Sequence, residues 1–140
     1  MSYIWVTVGS GLGGLLRYAI TRWMMPLSTG FPVGTVLINV LGCLLIGYFG
    51  TATLQGSRYA ASENLRLFVM VGLCGGFTTF SSFSLQSFEL LRTGAWGRAL
   101  LNIALSVALC LASVAAGHLL AQRTFYRTAI VQTATEESTG

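Results

Sequence analysis

Apolar residues fall into four long runs along this chain, and short polar stretches separate them. The runs cover about 3–23, 33–54, 66–91 and 98–122, and each is long enough to cross a bilayer as an α-helix of roughly 20 residues. The pattern predicts an all-α integral membrane protein with a four-helix membrane domain over 1–127. The segment 128–140, rich in threonine and carrying two glutamates, is predicted to be a disordered tail.

The third run has a middle that lipid contact alone does not explain. From Gly75 to Ser84 it reads Gly-Gly-Phe-Thr-Thr-Phe-Ser-Ser-Phe-Ser, which combines a glycine pair, five hydroxyls and three phenylalanines. Glycine permits a helix to break or to approach a neighbour closely, and hydroxyls can bond the backbone groups that a break frees. A broken helix inside a bilayer is tolerated only where protein or a watery cavity covers it. The sequence therefore predicts a third helix broken at its centre, with a permeation or binding site beside the break.

Composition supports the membrane class. The chain has 140 residues, of which 54% are hydrophobic and 9% are charged, and its mean hydropathy is +0.71. A soluble domain carries about a quarter charged residues. The net charge of +4 includes eight scattered arginines and no lysine, so there is no basic patch suited to nucleic acid. These arginines suit the role of anchors at the headgroup level of a lipid bilayer.

The arginines give almost no signal for orientation. With four spans, the face that holds both termini would carry four of them, and the opposite face three, or four if Arg17 reaches it. The two sets are Arg58, Arg66, Arg123 and Arg127 against Arg22, Arg92 and Arg98. An excess of Lys and Arg in cytoplasmic loops normally sets topology. Without that excess, the chain is predicted to insert both ways and to form an antiparallel homodimer about a two-fold axis in the membrane plane.

Several polar side chains lie inside the apolar runs. Asn39 is in the second run, where an amide either bonds a neighbouring helix or lines a wet cavity, and both alternatives stay open. In the fourth run Asn102, Ser106 and Cys110 are spaced four residues apart, which places them on one helical face. Arg17 is either a snorkelling anchor or an anion-attracting charge at a vestibule mouth.

Aromatic residues and the one histidine add two expectations. Phe77, Phe80 and Phe83 recur every three residues, so at least the last two are predicted to share a face. His118 lies near the end of the fourth run and is predicted to be interfacial or hydrogen-bonded.

The first run contains a glycine pattern that invites a nucleotide-binding interpretation. Residues 9–14, Gly-Ser-Gly-Leu-Gly-Gly, match G-x-G-x-x-G, but that fold needs an acidic residue about 20 positions later, and the first one here is Glu63. Small residues four apart also let membrane helices pack closely, so Gly9 and Gly13 are predicted to face another helix. Each cysteine falls inside an apolar run without metal-site spacing, which predicts a packing role; the three are Cys43, Cys74 and Cys110.

Three motifs together resemble the CrcB/Fluc family of fluoride channels. They are the stretch from Gly75 to Ser84, the series Gly34-Thr35…Asn39…Gly42, and Gly13-Gly14-Leu-Leu-Arg17. The resemblance covers the whole chain except the tail. It implies an antiparallel dual-topology homodimer in the bacterial inner membrane, with two pores through which cytoplasmic fluoride leaves passively. It also implies a structural Na⁺, which is not transported, at the dimer centre.

The resemblance also assigns roles to residues. The main-chain carbonyls of Gly75 and Thr78 would hold the Na⁺, and Phe80 and Phe83 would form an aromatic box beside the fluoride ion, with Asn39 as the pore amide. Hydroxyls that flank the rings would complete the lining; they belong to Thr79, Ser81 and Ser82. The family's polar track falls on Asn102, Ser106 and Cys110, although an aromatic hydroxyl often stands at the first position and a serine at the third.

The residue chemistry agrees with an anion path. Fluoride is small and tightly hydrated, so a pore must replace its water with hydrogen-bond donors, and hydroxyls and amides do so without a fixed charge that would trap the ion. Aromatic ring edges carry the positive end of the quadrupole and can line such a path. Carbonyls exposed at a helix break can coordinate a hard cation such as Na⁺.

Two other function classes stay open. A small proton-coupled exporter of the four-helix dual-topology type would be expected to carry an acidic residue within the membrane, and the nearest is Glu89 at the end of a span. An intramembrane hydrolase would need a serine and a base, and His118 is the only candidate base. We predict a channel and not an enzyme.

Overall fold

The structure is a computed structural model that describes residues 2–53 and 61–138, with side chains described as far as Thr124. Arg58 and the side chain of Arg127, which enter the arginine count above, lie outside the described part. All regular structure within the described residues is helical, which confirms the predicted all-α class.

Eight helical elements follow one another within the described residues. Helix α1 is Ser2–Met24, a 3₁₀ turn follows at Met25–Leu27, and α2 is Val33–Ala52. The third span is a composite of α3 (Glu63–Arg66), a π-helical segment (Leu67–Cys74), α4 (Gly75–Phe77) and α5 (Phe80–Arg92). A tight turn at Gly94, which has a positive φ of 78°, leads into α6, Trp96–Ser138.

Three described helical spans are long and apolar enough to cross a membrane. They are Val33–Ala52, Glu63–Arg92 and Trp96–Thr124. Helix α1 has 23 residues but is more polar, because glycines, serines and threonines interrupt its apolar positions and Arg17 and Arg22 lie within it. The predicted fourth crossing by α1 is therefore part of the proposal made below.

Helix α1 packs on the third span by direct backbone contact, in a seam formed by Gly9, Gly13, Gly72 and Gly76. A Cβ added to Gly13 would lie 2.7 Å from the Phe77 nitrogen, and one added to Gly72 would lie 2.9 Å from the Gly9 Cα. Because only glycine fits such distances, the predicted close packing of Gly9 and Gly13 against another helix is confirmed.

Helices α2 and α6 run parallel and also touch through their backbones. Thr51 Oγ1 lies 2.8 Å from His118 Nδ1, which confirms that the histidine is hydrogen-bonded. One turn earlier on each helix, a Cβ on Gly47 would lie 3.0 Å from the Val114 Cα. The two helices therefore keep one register over these turns.

Helix α6 extends to Ser138, and the disorder predicted for 128–140 stays a prediction. The sequence between His118 and Ser138 contains neither glycine nor proline, so it offers no local stop signal for the helix.

Candidate functional site

The third span breaks at two threonines and not at its glycine pair. Thr78 has φ −76° and ψ 160°, and Thr79 has φ −151° and ψ 106°, so both residues are extended between α4 and α5. Gly75, in contrast, has helical angles of −64° and −39°. The predicted central break is present, and the glycine contributes close packing at Gly76 instead.

Asn39 of α2 braces the break. Its Nδ2 donates to the Thr79 carbonyl at 3.2 Å, and the Thr79 N–H donates to its Oδ1 at 2.8 Å. The side-chain amide therefore pairs with the main chain of Thr79 as a neighbouring strand would. The sequence left open whether Asn39 bonds another helix or lines a cavity. It bonds the broken helix, and it also lines the cleft described below.

Hydroxyls complete the bonding around the break. Thr78 Oγ1 donates to the Cys74 carbonyl at 2.9 Å, and Thr79 Oγ1 accepts from the Ser82 N–H at 3.1 Å, which caps α5. Thr79 Oγ1 also lies 3.0 Å from the hydroxyl of Ser82 and 3.2 Å from that of Ser81. Ser81 is exposed and Ser82 is half-buried in the protomer.

This bonding has a consequence for two main-chain carbonyls. In an unbroken helix the Gly75 carbonyl would accept from the Thr79 N–H and the Thr78 carbonyl from the Ser82 N–H. Both donors turn to side chains instead, the first to Asn39 Oδ1 and the second to Thr79 Oγ1. Oxygen atoms without their helical donors suit a hard cation, so these two carbonyls fit the Na⁺ that the family resemblance implies.

The three phenylalanines of the motif have different surroundings. The rings of Phe80 and Phe83 are adjacent, with centroids 5.4 Å apart and planes tilted by 47°. Phe80 is 78% exposed in the protomer, whereas Phe77 is 6% exposed and packs near Gly42. The break thus separates the packed ring of Phe77 from the exposed ring of Phe80 and the half-buried ring of Phe83.

A buried chain of hydrogen bonds links α5 to α6. Asn102 Nδ2 donates to Ser87 Oγ at 2.9 Å, and Ser87 Oγ donates to the Phe83 carbonyl at 2.7 Å. Ser106 Oγ donates to Asn102 Oδ1 at 3.4 Å. Asn102 is 1% exposed. The spacing on α6 had indicated Asn102 and Ser106, but Ser87 was missed, although it lies one turn after Phe83.

Some of the predicted residues line one cleft of about 310 Å³, which we call the central cleft. Its lining consists of Asn39, Gly42, Cys43, Ile46, Met70, Cys74, Gly75, Thr78, Thr79, Phe80 and Cys110. The other predicted site residues are outside this lining; they are Ser81, Ser82, Phe83, Asn102, Ser106 and Arg17. A Cβ on Gly75 would meet nothing within 4 Å, so within one protomer a side chain there has room.

A second cleft, of about 410 Å³, lies where α1, α2, α5 and α6 come together at one end of the molecule. Gln86, Glu89 and Arg98 contribute to its lining, and Arg98 Nη1 donates to the Gly30 carbonyl at 3.2 Å. Arg17, the predicted vestibule residue, is half-buried on α1 outside this lining. The sequence did not single out Arg98, because an arginine at the start of a membrane helix is usually interpreted as an anchor at the lipid headgroups.

Comparison with known proteins gives one family. Residues 4–118 match the family described as "CrcB-like protein, Camphor Resistance (CrcB)". A curated relative from Gluconobacter oxydans, named "Fluoride-specific ion channel FluC", is 56% identical over 136 residues, which cover 94% of this chain and 93% of the relative. Proteins of the same name from Methylobacterium radiotolerans and Methylocella silvestris are each 54% identical, covering 84% and 86% of this chain and 82% and 93% of the relatives.

Proposed function

This chain belongs to the CrcB-like family, and on that premise we propose that it is a fluoride-selective channel that lets fluoride leave the bacterial cytoplasm passively through the inner membrane. The observation that carries the proposal is the braced break at Thr78–Thr79, because it gathers an amide, hydroxyls and an exposed aromatic ring inside an apolar span. The family is one of ion channels and not of enzymes.

Fluoride would pass beside Phe80 and Phe83. The adjacent rings offer positive edges to an anion, and the exposed hydroxyl of Ser81 and the half-buried hydroxyl of Ser82 supply donors. One hydrogen of Asn39 Nδ2 is used on Thr79, which leaves the second hydrogen for an ion in the central cleft. These donors replace the ion's hydration without a full positive charge, so fluoride can bind and still leave.

The buried chain of Asn102, Ser106 and Ser87 would have two roles. It holds α5 against α6 and fixes the Phe83 carbonyl, which orients the phenylalanine pair. In the proposed pore it also continues the polar track along α6. Cys110, one turn beyond Ser106, lines the central cleft, so the track would end at a thiol. Arg17 would raise the local anion concentration at the vestibule mouth.

The proposed protein is an antiparallel, dual-topology homodimer of four-span protomers with two pores. An exposed Phe80 and an open position at Gly75 on the same side of the third span support a partner on that face. A structural Na⁺ at the dimer centre would be held by the Gly75 and Thr78 carbonyls, whose helical donors are diverted. Its positive charge would favour assembly and would not travel with fluoride.

Fluoride efflux from liposomes tests the channel. Purified protein is reconstituted with internal KF, valinomycin is added to carry K⁺, and external fluoride is recorded with an electrode. We expect rapid fluoride release, negligible chloride release from matched KCl liposomes, and no acceleration when a pH gradient alone is imposed. Fluoride movement that requires a proton gradient would favour the exporter, and equal chloride release would contradict fluoride selectivity.

Labelling from each side of the membrane tests the topology. Single reporter cysteines are introduced at Thr29 and, separately, at Gly97 in a chain whose native cysteines are serine, and intact cells receive a membrane-impermeant maleimide. Two orientations predict partial labelling at both positions, with the remainder labelled after permeabilisation. Complete labelling of both positions from one side would contradict dual topology.

A further inference from the structure

Sulfur atoms are concentrated at one place in the described structure. The chain has three cysteines and four methionines, and the central cleft is lined by all three thiols and by the thioether of Met70. The sequence predicted packing roles for the cysteines, and packing does not require them to meet. They come from three different spans, so their convergence arises from the tertiary fold.

The register of α2 and α6 brings two of these thiols face to face. Thr51 bonds His118, and one turn earlier Gly47 touches Val114. Cys43 is one further turn before Gly47, and Cys110 is one further turn before Val114. The two cysteines therefore lie at the next contact level of the same parallel pair of helices, and both line the central cleft.

Cys74 stands apart from this pair. It is 2% exposed and belongs to the third span, outside the α2–α6 pair. Among the described residues no group of three His, Cys, Asp or Glu side chains is arranged to hold a metal. A cation that used these thiols would therefore have two sulfur ligands, with the Met70 thioether as a neighbour on the cleft wall.

We propose that Cys43 and Cys110 form a binding site for a soft monovalent cation, of which Cu⁺ and Ag⁺ are the chemical class. Thiolate and thioether ligands select such ions, which accept two ligands in a line. Binding displaces the proton of one thiol, and the resulting thiolate neutralises the cation while the other thiol stays protonated. A neutral complex is stable in an apolar cleft. A hard cation would have to give up its hydration shell there, and sulfur ligands would bind it only weakly in return.

The site lies beside the proposed fluoride path, since Asn39, Thr79 and Phe80 line the same cleft. A cation held between α2 and α6 would take up space that fluoride uses. Occupancy is therefore expected to inhibit conduction, and this consequence rests on the proposed function. The binding site itself does not, because it follows from the positions of the thiols alone.

Binding of Ag⁺ to the purified full-length protein tests the site directly. The protein is titrated in chloride-free nitrate buffer, passed over a desalting column, and its retained silver is counted by mass spectrometry, with proton release recorded in parallel. We expect one Ag⁺ and one released proton per protomer, and no retention of K⁺. Cys43→Ser and Cys110→Ser should each weaken binding by at least about tenfold.

The matched control is Cys74→Ser, which removes a thiol from the same cleft without touching the pair. It should bind Ag⁺ as the unaltered protein does. If Cys74→Ser weakens binding as much as the other two, or if Cys43→Ser binds normally, the assignment of the pair is overturned. Each variant is first checked for a single symmetric peak in gel filtration. Should Cys110→Ser fail that check, Cys43→Ser against Cys74→Ser decides alone.

Fluoride efflux provides a second readout. Silver fluoride is soluble, so Ag⁺ can be added to the liposome assay in nitrate medium. We expect inhibition of the unaltered protein and relief of that inhibition in Cys43→Ser. Equal inhibition of both would overturn the link between this site and the pore. Protein that retains Ag⁺ yet moves no fluoride would refute the proposed channel and leave the thiol site in place.

Discussion

Gly75 and Gly76 are neighbours in the sequence, but they face opposite surroundings. A Cβ on Gly76 would lie 2.9 Å from the Ser10 Cα on α1, whereas a Cβ on Gly75 would meet nothing within 4 Å. One side of the third span, the side of Gly76, thus packs directly against the backbone of α1 within the protomer. The other side opens on the central cleft.

The two sides also differ in what they expose. The α1 seam consists of glycines packed against the backbone of the facing helix. The cleft side carries Asn39, Thr79 and a Phe80 that is 78% exposed. Polar groups on an open face inside a bilayer require water, an ion or a partner. We therefore expect the α1 side to contribute mainly to stability, and the cleft side to contribute to assembly and conduction.

The largest effect is expected from filling the seam. Gly76→Leu would force a side chain into the Ser10 backbone, and overpacking of this kind costs about 1–3 kcal/mol or more. Because backbone atoms cannot move aside as a side chain can, we expect loss of the monodisperse protein in gel filtration.

The adjacent position gives the matched comparison. Gly75→Leu has room within the protomer, so each protomer should fold, with the damage confined to dimer assembly and its Na⁺ dependence. A Gly75→Leu dimer with full Na⁺ dependence would show that the carbonyl site lies elsewhere. Equal loss of folded protein in both variants would contradict the contrast between the two sides.

The next effect separates the phenylalanines. Phe80→Ile removes a ring edge from the cleft but disturbs little packing, so we expect a stable dimer whose fluoride efflux falls by orders of magnitude. Phe83→Ile should behave in the same way. Phe77→Ile alters a buried ring and should lower thermal stability more than flux. Normal flux in both Phe80→Ile and Phe83→Ile would show that these rings only pack.

Removal of the Asn39 brace is expected to destabilise the break. Asn39→Leu leaves the N–H and the carbonyl of Thr79 without their partner, at a cost of about 1–3 kcal/mol for each group. The variant should melt at a lower temperature in detergent and lose fluoride efflux. The matched control for stability is Thr35→Val, one turn earlier on α2. If both variants melt alike, the brace does not stabilise the break.

The smallest effect is expected from a substitution at Thr51, which is far from the break. Thr51→Val removes the hydroxyl that bonds His118 and also the Gly47 carbonyl, at a cost of about 0.5–1.5 kcal/mol per bond. A modest fall in melting temperature with unchanged fluoride efflux is expected. A large fall in efflux would instead indicate that this end of the α2–α6 pair belongs to the conduction path.

The sequence predicted the break but not its position. Glycine, threonine and serine all crowd into one stretch, and local propensity favours the glycines as the weak point. The break falls at Thr78–Thr79 because a residue 40 positions away, Asn39, bonds the extended backbone there. A tertiary contact of this kind leaves no local signal.

Helical spacing correctly predicted pairs of small or polar residues that share one face of a regular helix. It found Gly9 with Gly13 and Asn102 with Ser106, since both pairs lie four residues apart. It could not reveal Ser87, whose importance depends on the angle between α5 and α6. The thiol pair was hidden for the same reason, because Cys43 and Cys110 meet only through the register of two helices.

The π-helical segment Leu67–Cys74 sets the angular phase of the third span. It precedes the break, so the number of residues within it determines the direction around the helix axis in which every later side chain points. In a helix of 3.6 residues per turn, loss of a single residue would swing all that follows by about 100°. Gly76 would leave α1, and Phe80 would leave the cleft. Apart from Gly72, the length of this stretch is therefore under tighter constraint than its composition: an apolar side chain can be exchanged there, but a residue cannot be inserted or deleted.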